Sequence, residues 1–263
     1  MLELIQKIGP TAIKVGQALS VRPDLIPEEY STALSSLQDR VPPFPSDEAK
    51  VMLEKQLGPV GMKKFTKIDL DKPVASASIG QVYKATARLD DGTEKEVAIK
   101  IQRPDVMAEI ALDLHIVREF APTYAKLTRS STDLQALANE WGRGFIGELT
   151  YLKEAEATKR FNEEMIKRNI AAITAPTVVD ELSTDRVLTT EWVTGTRLDE
   201  STAGDVPRLC GLALNAYLVM LLEIGTLVSK FHDQLVFYIE NFFCLLIAYF
   251  EITFSIVIHT PET

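Results

Sequence analysis

The sequence predicts an α+β fold in which an antiparallel sheet is combined with long helices. Two stretches, Gln81 to Leu89 and Lys95 to Gln102, have the composition of strands, and Asp90-Asp91-Gly92 between them is typical of a hairpin turn. Apolar residues recur at helical spacing before this hairpin and again through residues 105–168. The order of helices, hairpin, long helices, second hairpin and helix gives the fold class.

Residues 1–57 are predicted to form a helical extension ahead of the sheet. Prolines interrupt its periodic pattern at Pro10, Pro23 and Pro27. The run Val41-Pro42-Pro43-Phe44-Pro45 ends this block, and a further helix is predicted from Ser46 through Leu57, with carboxylates favourably placed in its first turn. The first residues lack signal-peptide and transit-peptide character. Because they already have helical spacing, we expect the sequence to begin after any targeting segment.

The chain after the hairpin is predicted to be mainly helical, with one more pair of strands. Breaks in the helical pattern of residues 105–168 are expected at Pro122 and at Ser130-Ser131. Strand composition returns from Val178 to Leu182 and from Arg186 to Val193, and an apolar helix is predicted from Val206 to Ile224.

The composition excludes several classes of function. With 263 residues, 46% hydrophobic and 25% charged, the chain is ordinary for a globular protein. Its net charge of −9 and pI near 5.0 argue against a nucleic-acid partner and a polybasic membrane patch, because both require a surplus of Lys and Arg. Two cysteines are too few for a disulfide framework, and three scattered histidines give no zinc-site spacing. We therefore expect no metal site.

A loop and a strand carry the clearest chemical signal. Residues 75–85 are Ala-Ser-Ala-Ser-Ile-Gly-Gln-Val-Tyr-Lys-Ala, and residues 97–100 are Val-Ala-Ile-Lys. Small loop residues let backbone N–H groups approach phosphates, and the Lys100 ammonium would supply a point charge. Val-Ala-Ile-Lys alone also fits an ordinary edge strand, but the loop at this distance favours a phosphate-covering loop and lysine strand similar to those of protein kinases. The predicted nucleotide contacts here are Ala75, Ser76, Ala77, Ser78, Ile79, Gly80, Ala98 and Lys100.

A lysine of this kind needs a carboxylate partner when no nucleotide is bound. Residues 145–155 offer two acids on a predicted helix, Glu148 and Glu154. We predict that Glu154 pairs with Lys100. The alternative is that both acids are solvated helix charges.

Several motifs resemble the UbiB or aarF-domain atypical kinase-like family, over roughly residues 5 to 227. The residues that carry the resemblance are Lys14-Val15-Gly16-Gln17, the run from Arg22 to Pro27, the stretch from Leu37 to Pro45 and the Ala-rich loop before Val-Ala-Ile-Lys. The resemblance implies that Lys14, Gly16 and Gln17 lie on a helix over the place of a protein substrate, with Lys14 meeting Glu148. Thr150 stands where the family pattern has Asp.

The same resemblance identifies a hinge and divides the chain. Thr189 to Gly195 looks like the segment whose backbone meets adenine, which adds Glu191 and Val193 to the predicted contacts of ATP or ADP; an ordinary buried strand is the alternative. The implied parts are a helical extension (1–57), a kinase-like N-lobe (58–193), the start of an incomplete helical C-lobe (194–227) and an apolar, divergent tail (228–263).

The catalytic half of a kinase site is missing from the sequence. After Leu227 the family would show a His-x-Asp loop ending in Gly-Asn and then Asp-Phe-Gly, but the last aspartate is Asp233, followed five positions later by Tyr238. We therefore predict no catalytic residue, weak Mg²⁺ dependence, and a UbiB-type ATP-binding pseudokinase whose C-terminal part is truncated. The resemblance implies a link to isoprenoid-quinone lipid metabolism in a plastid or, alternatively, a mitochondrion. A non-catalytic scaffold or membrane-associated regulator is the second hypothesis.

The tail bears on membrane association. From Leu235 to Ile258 the chain is apolar and aromatic, and it approaches the roughly 20 residues that a membrane span needs. Two carboxylates, Glu240 and Glu251, would make spanning costly. We expect a segment that packs against the lobe or a non-homologous ending, with membrane or lipid association left open.

Overall fold

The computed structural model describes residues 2–20, 26–37, 41–128, 135–136, 139, 142–143, 149–170, 173–194, 204, 206–220, 222 and 257–258. Helices and an antiparallel sheet are combined in it, which confirms the α+β class and the kinase-like N-lobe. The helices are α1 (Leu2–Ile8), α2 (Pro10–Ser20), α3 (Glu28–Ser35), α4 (Ser46–Met62), α5 (Val106–Thr128), α6 (Tyr151–Lys167) and α7 (Val206–Val219). The strands are β1 (Phe65–Ile68), β2 (Ala75–Ser76), β3 (Gly80–Arg88), β4 (Glu94–Gln102), β5 (Ile173–Thr174), β6 (Val187–Glu191) and β7 (Val257–Ile258).

The main sheet is built around the predicted hairpin. Its order is β1-β3-β4-β6, and the short β2 also pairs with β3. The turn between β3 and β4 closes through a hydrogen bond from the Gly92 N–H to the Leu89 carbonyl oxygen (2.9 Å). Gly92 has a φ of 82°, a conformation that glycine adopts without steric cost. The hairpin is thus confirmed, and it carries the loop and the lysine predicted to bind phosphate.

The two faces of the sheet are covered differently. Val97, Ile99 and Ile101 are fully buried on one face, in a cluster that includes Leu53 of α4. The alternation of side chains along a strand places Lys100 on the opposite face, as predicted. That face is covered by a second cluster, which contains Ile79, Val106, Ile110, Leu149, Tyr151, Ala155, Val178 and Leu188. Lys100 therefore emerges beside α6 while its strand is anchored in the core.

The amino-terminal helices form a small core of their own. Ile13 of α2 packs with Leu34, Leu37 and Val41. Gly16 lets α2 approach this cluster closely, since a Cβ atom there would lie 2.6 Å from Leu37 Cδ1. Pro10 begins α2 and Pro27 precedes α3, in agreement with two of the predicted breaks, whereas Pro23 lies outside the described residues.

One helix prediction needs correction: Pro122 does not end α5, which runs from Val106 to Thr128 with the proline inside it. The helix predicted from Ser46 through Leu57 is confirmed, because Gly58 has a non-helical backbone with a φ of 63° and kinks α4 before its last turn at Met62. The last helix begins at Val206 as predicted and is described as α-helical to Val219. Its predicted end at Ile224 and the predicted break at Ser130-Ser131 lie outside the described residues.

The predicted strand from Val178 to Leu182 is only partly a strand. The Val179 N–H donates to the Thr189 carbonyl oxygen (2.8 Å), so this residue extends the sheet beside β6. A 3₁₀ turn then follows from Asp180 to Leu182. Strand composition predicted the pairing but not the turn, which closes through a bond from the Leu182 N–H to the Val179 carbonyl oxygen (3.2 Å).

Most of the tail lies outside the described residues. Its described part, β7, pairs with β5 in a separate two-stranded sheet. None of the helices within the described ranges is long and apolar enough to cross a membrane.

Candidate nucleotide-binding site

Lys100 and Glu154 form the ion pair that the sequence predicts. Lys100 Nζ lies 2.8 Å from Glu154 Oε1 and 2.7 Å from Oε2. The two side chains are 15% and 10% exposed. Glu154 lies in the first turn of α6, where the helix dipole favours a carboxylate. The pair therefore places an ammonium group at the edge of the core without leaving its charge uncompensated.

The Tyr151 ring contacts the Lys100 ammonium, an interaction that our sequence analysis missed. Its ring centroid lies 4.6 Å from Lys100 Nζ, within the range of a cation–π interaction. The Tyr151 N–H donates to the Asp185 carbonyl oxygen (2.9 Å), which fixes the start of α6 against the turn before β6. Tyr151 precedes Glu154 by three residues, so one helix face presents both groups to Lys100. That spacing could have identified Tyr151 from the sequence.

The predicted loop folds back over the end of β4. Ala75 and Ser76 pair with β3, and the Ala77 N–H donates to the Gly80 carbonyl oxygen (2.8 Å). Gly80 has no room for a side chain, because a Cβ atom would lie 2.6 Å from Tyr151 Oη and 2.7 Å from the Ile101 carbonyl oxygen. The loop is thus brought next to the same tyrosine that contacts Lys100.

Two hydroxyl groups in this loop lack partners. The Oγ atoms of Ser76 and Ser78 are buried and form no hydrogen bond, and Ser78 is only 1% exposed. Buried polar atoms without partners are uncommon in folded proteins. The two unpaired hydroxyl groups therefore suit a loop that forms hydrogen bonds with an oxygen-rich ligand.

The end of β4 carries two more residues that the sequence analysis did not single out. Gln102 is buried on the same face as Lys100, and its Nε2 donates to the Leu149 carbonyl oxygen (2.7 Å), just before α6. Arg103 contacts the loop through a hydrogen bond from its guanidinium to the Ala77 carbonyl oxygen (3.3 Å). The period of two along a strand could have placed Gln102 with Lys100, whereas nothing in the local pattern predicts the Arg103 contact.

The predicted hinge, Thr189 to Gly195, begins inside β6 and continues after it, and Gly195 lies outside the described residues. Ala98 pairs in register with Thr190, so it lies between Lys100 and the hinge along the same strand pair. Glu191 forms an ion pair with Lys95, whose hydrogen bond holds the pKa of the Glu191 carboxyl below its usual value. In the part of the chain that the structure describes, the Val193 N–H makes no hydrogen bond. That amide remains available to an acceptor on a ligand.

The extension motif has a structural role within its own helices. Gln17 is buried, and its Nε2 donates to the Leu37 carbonyl oxygen (2.8 Å). Lys14 is half-buried on α2, which packs against α5. Glu148 lies outside the described residues, so its contact with Lys14 stays a prediction. Thr150, where the family pattern has Asp, precedes α6 in extended conformation.

A kinase-like N-lobe with a lysine–glutamate pair beneath a small-residue loop defines the class of protein. Among the described residues, no group of three or more His, Cys, Asp or Glu side chains could hold a metal ion. Residues 36–241 match the family model described as the ABC1 atypical kinase-like domain. The chain therefore belongs to this family, which is that of the aarF and UbiB proteins.

Similar proteins occur among chloroplastic proteins of Arabidopsis thaliana and proteins of Synechocystis. One is an uncharacterized aarF domain-containing protein kinase, chloroplastic, from Arabidopsis thaliana, with 41% identity over 75% of this chain and 28% of the relative. Another is an uncharacterized protein of Synechocystis, with 38% identity over 80% of this chain and 36% of the relative. Protein ACTIVITY OF BC1 COMPLEX KINASE 3, chloroplastic, from Arabidopsis thaliana is 35% identical over 84% of this chain and 31% of its own length. The chain thus spans about a third of the curated relatives it matches.

Solved structures are similar as well. One of them is a Mycobacterium tuberculosis protein, Rv3197, in complex with erythromycin, and it is 34% identical over 71% of this chain and 45% of that chain, with a TM-score of 0.48.

Proposed function

We propose that this chain binds an adenine nucleotide between the loop Ala75–Gly80 and the hinge Glu191–Val193. The Lys100–Glu154 pair is the observation that carries the proposal. Its ammonium is held at the edge of the core next to the loop, where it would face the α- and β-phosphates. Membership of a kinase-like family supports nucleotide binding in general terms.

The residues present fit such a ligand at three points. Lys100 supplies charge, the buried hydroxyls of Ser76 and Ser78 supply hydrogen-bonding groups that now lack partners, and Val193 supplies a backbone N–H for the base. On nucleotide binding, Lys100 exchanges part of its contact with Glu154 for phosphate oxygens. Tyr151 and Glu154 then orient the ammonium.

We further propose that the 263-residue chain does not transfer the phosphoryl group. Kinase chemistry depends on metal-held, positioned phosphates and on an Asp that accepts the hydroxyl proton. Asp233 is the last aspartate of the sequence, and no Asp-Phe-Gly is present. Nucleotide binding in this chain should therefore be weak and nearly independent of Mg²⁺.

Titration calorimetry tests the binding proposal. ADP is titrated into the purified chain with Mg²⁺ and with EDTA, and Lys100→Ala is compared with Lys67→Ala, which removes the same charge from an exposed position on β1. We expect Lys100→Ala to weaken binding by at least about tenfold, since a charged phosphate contact is lost, and Lys67→Ala to bind like the wild type. Equal affinity of the wild type and Lys100→Ala would refute the site.

The cellular setting is inferred from the relatives. Because several of them are chloroplastic proteins, we propose a plastid location. A role connected with prenylquinone lipids is proposed from the family resemblance alone. Microscopy of a fluorescent fusion expressed from the protein's own gene tests the location, and a signal outside plastids would contradict it.

A further inference from the structure

Arg103, directly after β4, binds the Ala75–Gly80 loop through its backbone and through its side chain. Its backbone N–H donates to the Ile79 carbonyl oxygen (2.8 Å), and its guanidinium Nη2 donates to the Ala77 carbonyl oxygen (3.3 Å). A single residue at the end of β4 therefore binds two carbonyl groups of the loop. Neither bond involves Lys100 or Glu154.

The same guanidinium contacts the proline segment Val41–Pro45. Its Nη2 also donates to the Pro42 carbonyl oxygen (3.0 Å), and the group lies 5.3 Å from the Phe44 ring centroid. Burial lowers the pKa of Arg103, but the group remains a cation at any ordinary pH. Arginine suits this position because its Nη2 carries two N–H donors for the two carbonyl oxygens, while its planar cation lies close to an aromatic ring.

The proline segment connects two separate cores. Val41 packs in the cluster of the helical extension, whereas Phe44 packs in the core of the sheet. Gln81 of β3 binds the same segment, since its Nε2 donates to the Phe44 carbonyl oxygen (2.9 Å). The segment is thus fixed on the sheet by two polar side chains, and Arg103 alone of these two also binds the loop.

We propose that Arg103 is a positioning residue that couples the helical extension to the nucleotide loop. It holds the loop in a preorganised conformation, so that less conformational freedom is lost when phosphates bind. This proposal rests on the proposed function for its effect on affinity. Its effect on the loop itself does not depend on any ligand.

The first measurement is hydrogen exchange of the nucleotide-free chain, which needs no assumption about the ligand. Arg103→Ala is compared with Arg88→Ala, which removes the same charge from an exposed position on β3. We expect amide exchange in the peptide covering Ala75–Gly80 to be about tenfold faster in Arg103→Ala and unchanged in Arg88→Ala. Wild-type exchange of this peptide in a folded Arg103→Ala chain would overturn the proposal.

The second measurement is the affinity for ADP, with Arg103→Lys as the variant that keeps the charge. Lysine has a compact ammonium on a flexible stem and no planar group to lie against Phe44, so both Arg103 variants should raise the dissociation constant, by about tenfold for alanine. Arg103→Lys could bind ADP with wild-type affinity although its loop exchanges fast. Affinity would then depend on the charge alone and not on the loop conformation, and the coupling of the extension to the loop would be rejected. If Arg103→Ala does not fold, hydrogen exchange and ADP affinity are both measured on Arg103→Lys. Failure of the wild type to bind ADP would reject the proposed function, while the exchange result would still decide the role of Arg103.

Discussion

Lys100 shows how one charge is accommodated at the edge of a core. The ammonium has a carboxylate on one side and an aromatic ring on the other, and Glu154 and Tyr151 both come from the first turn of α6. Two hydrogen bonds fix that turn: the Gln102 side chain donates to the Leu149 carbonyl oxygen, and the Tyr151 N–H donates to the Asp185 carbonyl oxygen. The ion pair is therefore a product of backbone anchoring as much as of mutual attraction.

Removing the charge of Glu154 should destabilise the folded chain. Glu154→Gln leaves the Lys100 ammonium without a counter-ion, and we expect a loss of about 2 kcal/mol in the free energy of unfolding, below the value for fully buried pairs because water still reaches the lysine. Glu156→Gln, at an exposed position on the same helix, is the matched control and should cost almost nothing. Urea unfolding of the two variants measures the difference. Equal stability would mean that the pair contributes nothing to folding.

At the scale of elements, the close contact between the loop and α6 depends on Gly80. In Gly80→Ala the added Cβ atom would meet the Tyr151 hydroxyl and the Ile101 carbonyl oxygen, and the backbone of β4 cannot move without disturbing the sheet. We expect a loss of about 1–3 kcal/mol, the usual cost of overpacking. Gly211→Ala in α7, where nothing lies within 4 Å, should be neutral or slightly stabilising. Thermal unfolding followed by circular dichroism compares them; a melting temperature equal to that of the wild type in Gly80→Ala would show that the loop can shift freely.

The hinge strand should respond to acid through Glu191. Its pKa is lowered from the ordinary value of 4.5, chiefly by the hydrogen bond from Lys95. A carboxyl whose pKa is lowered by folding stabilises the folded chain above its unfolded pKa, and the contribution is lost as the pH falls through the lowered value. The stability difference between the wild type and Glu191→Gln should therefore be largest near neutral pH and vanish below the folded pKa. Chemical unfolding at a series of pH values tests this; a difference that grows in acid would contradict the sign.

At the scale of the whole molecule, nucleotide binding and phosphoryl transfer depend on different parts of the chain. The described N-lobe holds a complete set of predicted binding groups, whereas the sequence beyond Leu227 lacks the acids that a kinase uses for metal and proton. The apolar stretch that follows contains Glu240 and Glu251, neither of which has catalytic-loop spacing.

The purified 263-residue chain should accordingly show no ATP hydrolysis or phosphoryl transfer above background. Release of phosphate is measured with Lys100→Ala as the blank, and grafting a family-like catalytic loop after Leu227 should restore turnover. Robust hydrolysis by the original chain that is abolished by Lys100→Ala would show that another group holds the metal.

The sequence by itself determined the hairpin and the face on which Lys100 lies. These follow from local rules: the alternation of side chains along a strand and the turn chemistry around Gly92. The need of a buried cation for a carboxylate predicted a partner for Lys100, but the structure decided that Glu154 is that partner. The same rules could have indicated Tyr151 and Gln102.

Only the tertiary structure decided how distant segments meet. No periodicity brings Arg103, the proline segment and the Ala75–Gly80 loop together, because their contacts join backbone carbonyl groups that carry no sequence signal. The structure also keeps α5 helical through Pro122 and forms a 3₁₀ helix at Asp180, where the local pattern predicted a break and a strand. Where burial and long-range hydrogen bonds outweigh a residue's own propensity, only the tertiary structure determines the local conformation.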